Sequence, residues 1–183
     1  MAVVSISNHL ISALLLLHIL LLSSLPHNRA NSAVILSRRD LRANSTAVIA
    51  QFLRAHNTVR SAHGLSRLKW SPSLANYAKW YANRRRGDCT LIHSTADFGE
   101  NLFWGSGKRW KPADAVAAWA AEGAHYDYQT NSCKSGSDCL HYTQLVWKST
   151  MKVGCAQIVC HSRDTFIACE YYPHGNVIGE KPY

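Results

Sequence analysis

Two imidazoles and two carboxylates stand near the middle of the chain. His93 lies in LIHS, Glu100 in GEN, Glu122 at the end of an alanine-rich stretch, and His141 opens HYTQLVW. Such a set suits a borderline divalent cation such as zinc. It could equally move protons as general acid and base. Separations of 7, 22 and 19 residues do not by themselves bring the four together. The plainer reading is four dispersed polar side chains with structural hydrogen bonds, and both readings stay open at this point. A metal-dependent hydrolase would hold its cation on His93 and His141 and use Glu100 or Glu122 as the base. The chain offers it no nucleophile motif. Ser149-Thr150-Met151-Lys152 fits SxxK, yet neither SDN nor KTG follows. There is no GxSxG, HExxH or phosphate-binding loop. Glu122–His125 supplies one ExxH where a carboxylate di-iron bundle needs two.

Helices come first in the order of elements that must position these groups. One starts near Thr46, where Val48, Phe52, Ala55 and Val59 form an apolar stripe of helical spacing. A second opens with Ser71 as N-cap and Pro72 at its first position, and its stripe is Leu74, Ala78 and Tyr81. Arg84, Arg85 and Arg86 fall in its last turn, where cations suit the helix dipole, and Gly87 ends it. A glycine-containing stretch, Gly99 to Gly107, leads to a third helix beginning at Pro112. Turns around 129–139 and a short apolar segment, YTQLVW, follow. Two strands, Lys152–Cys160 and Phe166–Tyr171, then form a hairpin across HSRDT. The first strand is apolar or cysteine on both faces and should be central. Helices followed by strands predict an α+β domain.

The chain has 183 residues with 20 Lys plus Arg against 11 Asp plus Glu, so 20 − 11 gives +9, and the pI is near 9.5. That length allows one domain with an extension. Apolar residues at 47% argue against wholesale disorder. Leu10–Leu25 is almost wholly apolar and shorter than the roughly 20 residues of a membrane span. Pro26 and small polar residues follow, which predicts a signal peptide over 1–30 with cleavage between 30 and 33. Residues 31–45 read as a flexible basic arm, and 46–183 as the domain. All six cysteines lie from Cys89 to Cys169, and an even number in an exported chain predicts three disulfides. Cys155 and Cys160 are five apart on one strand, so they face opposite ways and should not pair. Asn44-Ser45-Thr46 is a glycosylation sequon. Nucleic acid is not an expected partner: the arginine run reads as helix capping, and no binding motif accompanies it.

At these same residues the chain resembles the plant pathogenesis-related protein 1 family, within the CAP superfamily (cysteine-rich secretory proteins, antigen 5 and pathogenesis-related 1). The matching segments are FLRAHNTVR (Phe52–Arg60), WYANRRRGDCTLIHS (Trp80–Ser94), GENL (Gly99–Leu102), WAAEGAHYDY (Trp119–Tyr128), HYTQLVW (His141–Trp147), GCAQIVC (Gly154–Cys160) and the tail from Phe166 to Tyr183. The resemblance implies a three-layer α-β-α sandwich with a small antiparallel sheet. It implies that His93, Glu100, Glu122 and His141 share one cleft, which takes zinc or another divalent cation in some members and is only structural in others, with no cofactor required. It implies the pairs Cys89–Cys160, Cys133–Cys139 and Cys155–Cys169.

Functionally, the resemblance implies a secreted, non-enzymatic defence protein active against fungi and oomycetes, found in the apoplast or the vacuole. Its expected partners are sterols or fatty acids held in an apolar groove, and the microbial membrane surface; a monomer is expected. Pro173–Tyr183 resembles a signalling peptide that some members release by cleavage between Tyr172 and Pro173. Departures from the family pattern are Glu170, where CNY is usual; Leu140, where Gly is usual; and Arg54, where an acidic residue is common.

Overall fold

The described residues of this computed structural model run from 38 to 183, with side chains from Ser45 onward. The expected signal peptide and residues 31–37 of the expected arm lie outside them. Helix α1 spans Arg38–Ala62. It begins well before the expected start at Thr46, so most of the stretch read as an arm belongs to its first turns. No Gly or Pro interrupts residues 38–45, and Arg, Leu and Ala are good helix formers. Asn44 of the sequon lies inside this helix; its side chain is outside the described ones.

Strand β1 is Lys69–Trp70, and helix α2 is Pro72–Arg84. The Ser71 side chain accepts the Leu74 amide at 3.4 Å, and Pro72 sits at N1, so this helix starts as its residue types require. Strand β2 (Gly99–Gly105), helix α3 (Pro112–Ala121) and a 3-10 turn (Glu122–His125) follow. The remaining elements are β3 (Tyr126–Asp127), β4 (Ser132–Cys133), α4 (Leu140–Leu145), β5 (Lys152–Val159) and β6 (Thr165–Tyr172). Among the described residues no helix is long and apolar enough to cross a membrane.

Strands β1-β5-β6-β2 form the main sheet in that order, antiparallel apart from the two-residue β1. Side chains alternate along β6 and separate two cores. Phe166 and Ala168 pack with Leu102 and with Ala78, Tyr81 and Ala82 of α2. Ile167, Cys169 and Tyr171 face the other way, toward Phe52 of α1, Val116 and Trp119 of α3, and Leu145 of α4. This is a three-layer α-β-α sandwich.

Three disulfides join Cys89 to Cys160, Cys133 to Cys139 and Cys155 to Cys169. The first ties the segment after α2 to the end of β5, and the third links neighbouring strands β5 and β6.

Two stretches that the sequence left without an element type acquire one. The stretch read only as glycine-containing is strand β2, which pairs with β6 along its whole length. Its end glycines are sites of close approach: a Cβ on Gly99 would meet the Gln144 amide, and one on Gly105 the Trp110 indole. YTQLVW, apolar in a row, belongs largely to α4, a helix buried on nearly all sides.

Candidate functional site

Glu122 caps the C-terminus of α3 and opens the 3-10 turn, where its carboxylate receives the opening of α4. Its Oε2 accepts the His141 amide at 3.1 Å, and its Oε1 accepts a hydrogen bond from His141 Nδ1–H at 2.7 Å. The ring of His141 stacks on Trp119, with centroids 6.2 Å apart and planes 17° from parallel. Trp119 in turn donates to the Leu102 carbonyl at 3.0 Å, so β2 fixes the platform beneath the imidazole. The short Cys133–Cys139 loop delivers the chain to the start of α4.

Glu100 lies on β2, the edge strand. Its Oε1 accepts His93 Nδ1–H at 2.7 Å and the Ser94 amide at 2.9 Å. Burial alone would push this carboxyl up, yet the bonds from His93 and Ser94 outweigh it and hold Glu100 below the usual carboxylate range. The bond to Glu100 raises His93, and partial burial opposes it. The imidazole is largely exposed while the carboxylate is buried.

The four expected residues therefore form two histidine–carboxylate pairs, Glu100 with His93 and Glu122 with His141. No three of the four place ligand atoms within 4.8 Å of one another. In each pair the carboxylate engages Nδ1, which leaves Nε2 free: this is how a protein orients an imidazole toward a metal. Asn101, next to Glu100, spans the gap by donating to the His141 carbonyl at 3.1 Å.

Behind the pairs lies a relay that the sequence did not single out. His56 of α1 donates from Nδ1 to the Phe52 carbonyl at 2.8 Å and accepts the Tyr171 hydroxyl on Nε2 at 2.9 Å. Asn101 reaches the same hydroxyl at 3.3 Å. Burial drives His56 down to about 4 and holds Tyr171 well above the usual phenol range, so both stay neutral. His56 also sits against Cys155 and Cys169 in a metal-like grouping. The two sulfurs are bonded to each other and both ring nitrogens are used, so this group cannot bind a cation. The available signal for His56 was its place one turn beyond Phe52 in the α1 stripe.

Glu170 was also missed as a site residue. It is fully buried on β6 directly across from Glu100, and neither of its oxygens meets a donor; nor does Glu100 Oε2. Burial first, then the Glu100 charge, pushes Glu170 up to about 9, so it keeps its proton at neutral pH and can donate it to Glu100.

A separate opening of about 790 Å³ lies between α1 and α3. Small residues create it: Ala47, Ala50, Val59, Val116, Ala117 and Ala120 supply much of its wall, with Arg54 and Gln51 alongside.

Residues 53–171 match the family described as the cysteine-rich secretory protein family, CAP. The chain is 48% identical over 168 residues to the pathogenesis-related protein PR-1 of Medicago truncatula, covering 91% of this chain and 95% of that one. It is 45% identical over 132 residues to pathogenesis-related protein 1 of Arabidopsis thaliana, covering 72% and 80%. Among solved structures it is similar to venom allergen-like protein 4 of Schistosoma mansoni, with a TM-score of 0.59 at 28% identity, covering 72% of this chain and 90% of that one. NaASP2, solved with Zn2+, gives a TM-score of 0.60 at 25% identity, covering 74% and 84%.

Proposed function

The chain belongs to the cysteine-rich secretory protein family, and from that premise we propose that it is a secreted, monomeric plant defence protein that sequesters a sterol or fatty acid. Homology to pathogenesis-related proteins of plants supports the defence role. The observation that carries the lipid reading is the opening between α1 and α3. Alanine and valine line it, and its volume falls in the range of small-molecule sites. A strong positive charge, +9 over the full sequence, draws the protein to anionic microbial surfaces, where an apolar groove can take up a membrane component. Loss of sterol would injure a fungus or oomycete. Secretion places the protein in the apoplast or the vacuole.

The test is equilibrium titration of the disulfide-intact protein with a radiolabelled sterol and a radiolabelled fatty acid. Saturable binding that Ala117→Trp abolishes, with the melting temperature kept, supports the reading. Absence of saturable binding to either lipid sinks it.

For a cation, the donor set fits one arrangement: His93 and His141 would hold zinc or a similar ion through Nε2, with Glu100 and Glu122 orienting the rings. Bound there, the ion would supply Lewis acidity. No catalytic step is assigned to it, and the protein is read as a binder and not an enzyme.

A second reading is a peptide precursor. Strand β6 ends at Tyr172, which is half exposed, and the 11 residues Pro173–Tyr183 run on outside the sheet. The tail is nonetheless held. The Gly175 amide donates to Gln144 at 2.8 Å, the Lys148 amide to Pro182 at 2.6 Å, and the Tyr183 hydroxyl meets Tyr142 at 3.0 Å. Mass spectrometry of extracellular fluid from infected tissue should find the fragment beginning at Pro173; only intact chains would remove this reading.

A further inference from the structure

A cleft of about 400 Å³ lies where α2 meets the 92–95 segment, away from the lipid groove. Tyr77, Trp80, Tyr81 and Arg84 of α2 line it, with Ile92 and the hydroxyl-bearing Thr95, and it opens onto His93 of the first histidine–carboxylate pair. Residues 77, 80, 81 and 84 are three and four apart, so one helix face brings them together. Tyr81 is spent on the core, but Trp80 is 52% exposed. A tryptophan left half in water carries a cost that a ligand can recover. Tyr77 backs the indole at 5.3 Å between centroids. The Arg84 guanidinium lies over it, 5.2 Å from the ring centroid.

The three arginines here are not equivalent. Arg85 bonds Asp88 at 2.8 Å and the Thr90 carbonyl, and Arg86 bonds Asn83 and the Val159 carbonyl. The Arg84 side chain has no hydrogen bond or ion pair among the described residues, only the indole beneath it. Its fork is thus held in place by stacking and still open to an anion. No acidic residue lines the cleft.

We propose that this cleft is a carbohydrate site for an acidic oligosaccharide, in which a pyranose ring stacks on Trp80 and its carboxylate is taken by Arg84. A sugar ring presents C–H groups to an aromatic face and hydroxyls to polar neighbours, and a uronate adds the planar carboxylate that a guanidinium fork matches. A nucleic acid would need a track of free cations along its phosphates, and two of the three arginines are already satisfied by the protein. An aliphatic chain would find guanidinium groups among the rings instead of a continuous apolar wall.

The experiment is calorimetric titration of the disulfide-intact protein with tetragalacturonate at about 0.15 M salt. Its methyl ester, cellotetraose and an oligouridylate serve as comparators. Saturable binding of the free acid is expected. It should weaken about ten-fold or more with the methyl ester and with Arg84→Gln, and disappear with Trp80→Ala. Arg84→Lys, which keeps the charge and removes the fork, should also weaken it. No saturable binding, unchanged affinity in Arg84→Gln, or equal binding of oligouridylate would overturn the assignment.

Discussion

On the sheet face covered by α1, α3 and α4, every buried side-chain polar atom among the described residues has a partner. On the face covered by α2, three carboxylate oxygens of Glu100 and Glu170 have none. The first face buries polar groups by matching them. Arg60, fully buried with no carboxylate beside it, donates to the carbonyls of Ser66, Leu145, Trp147 and Thr150 at 2.8 to 3.1 Å. His56, Tyr171 and Asn101 close on one another. The second face holds two acids in strand register and settles the conflict with a proton. Matched groups add rigidity at neutral pH, whereas a shared proton ties stability to pH.

The largest expected effect tests the matched face. Arg60→Met leaves four carbonyls, three of them buried, without their donor and should cost about 3–5 kcal/mol in denaturant unfolding. A loss under 1 kcal/mol would mean that the carbonyls find other partners.

Next comes the proton-sharing face. The folded Glu170 releases its proton near 9 and the unfolded chain near 4.5, so the fold is favoured below 4.5 and loses stability as pH rises toward 9. Glu170→Gln should therefore stabilise by at least about 2 kcal/mol at pH 8 and by nothing near pH 4. Melting curves at the two pH values check it, and a destabilised variant at pH 8 would contradict the account.

His56 gives the opposite limb. It takes a proton at 6.5 when unfolded and only near 4 when folded, so its contribution is complete above 6.5 and is lost as pH falls toward 4. His56→Gln should cost about 1–2 kcal/mol at pH 7 and flatten stability between pH 6.5 and 4. An unchanged acid limb would assign it to other groups. The smallest effect is at the surface. Trp80→Ala should move stability by no more than about 0.5 kcal/mol, which a melting curve reads directly.

Much of the frame was legible. Ser71-Pro72 and Pro112 mark helix starts by local chemistry, and the apolar run before HSRDT marks a hairpin. Strand β2 was not legible, because glycines at both ends hide a strand that exists through its pairing with β6. The start of α1 was misplaced because charge was read as looseness where propensity favoured a helix. Within the site, the residue types at His93, Glu100, Glu122 and His141 were visible, while Glu170 read only as a departure from a pattern.

By itself, the sequence determined which groups were available: two imidazoles, their carboxylates, an even set of cysteines, and a helix face carrying Tyr77, Trp80 and Arg84. Turn chemistry, capping and side-chain alternation act over a few residues, so they can be read along the chain. Tertiary packing alone decided that Glu100 takes His93, that Glu122 takes His141, and that Glu170 lies against Glu100 with no donor. Those outcomes depend on β2 meeting β6 and on α3 meeting α4. Contacts across such distances in the chain carry no local signal, because their energy comes from burial and from the partner that burial supplies.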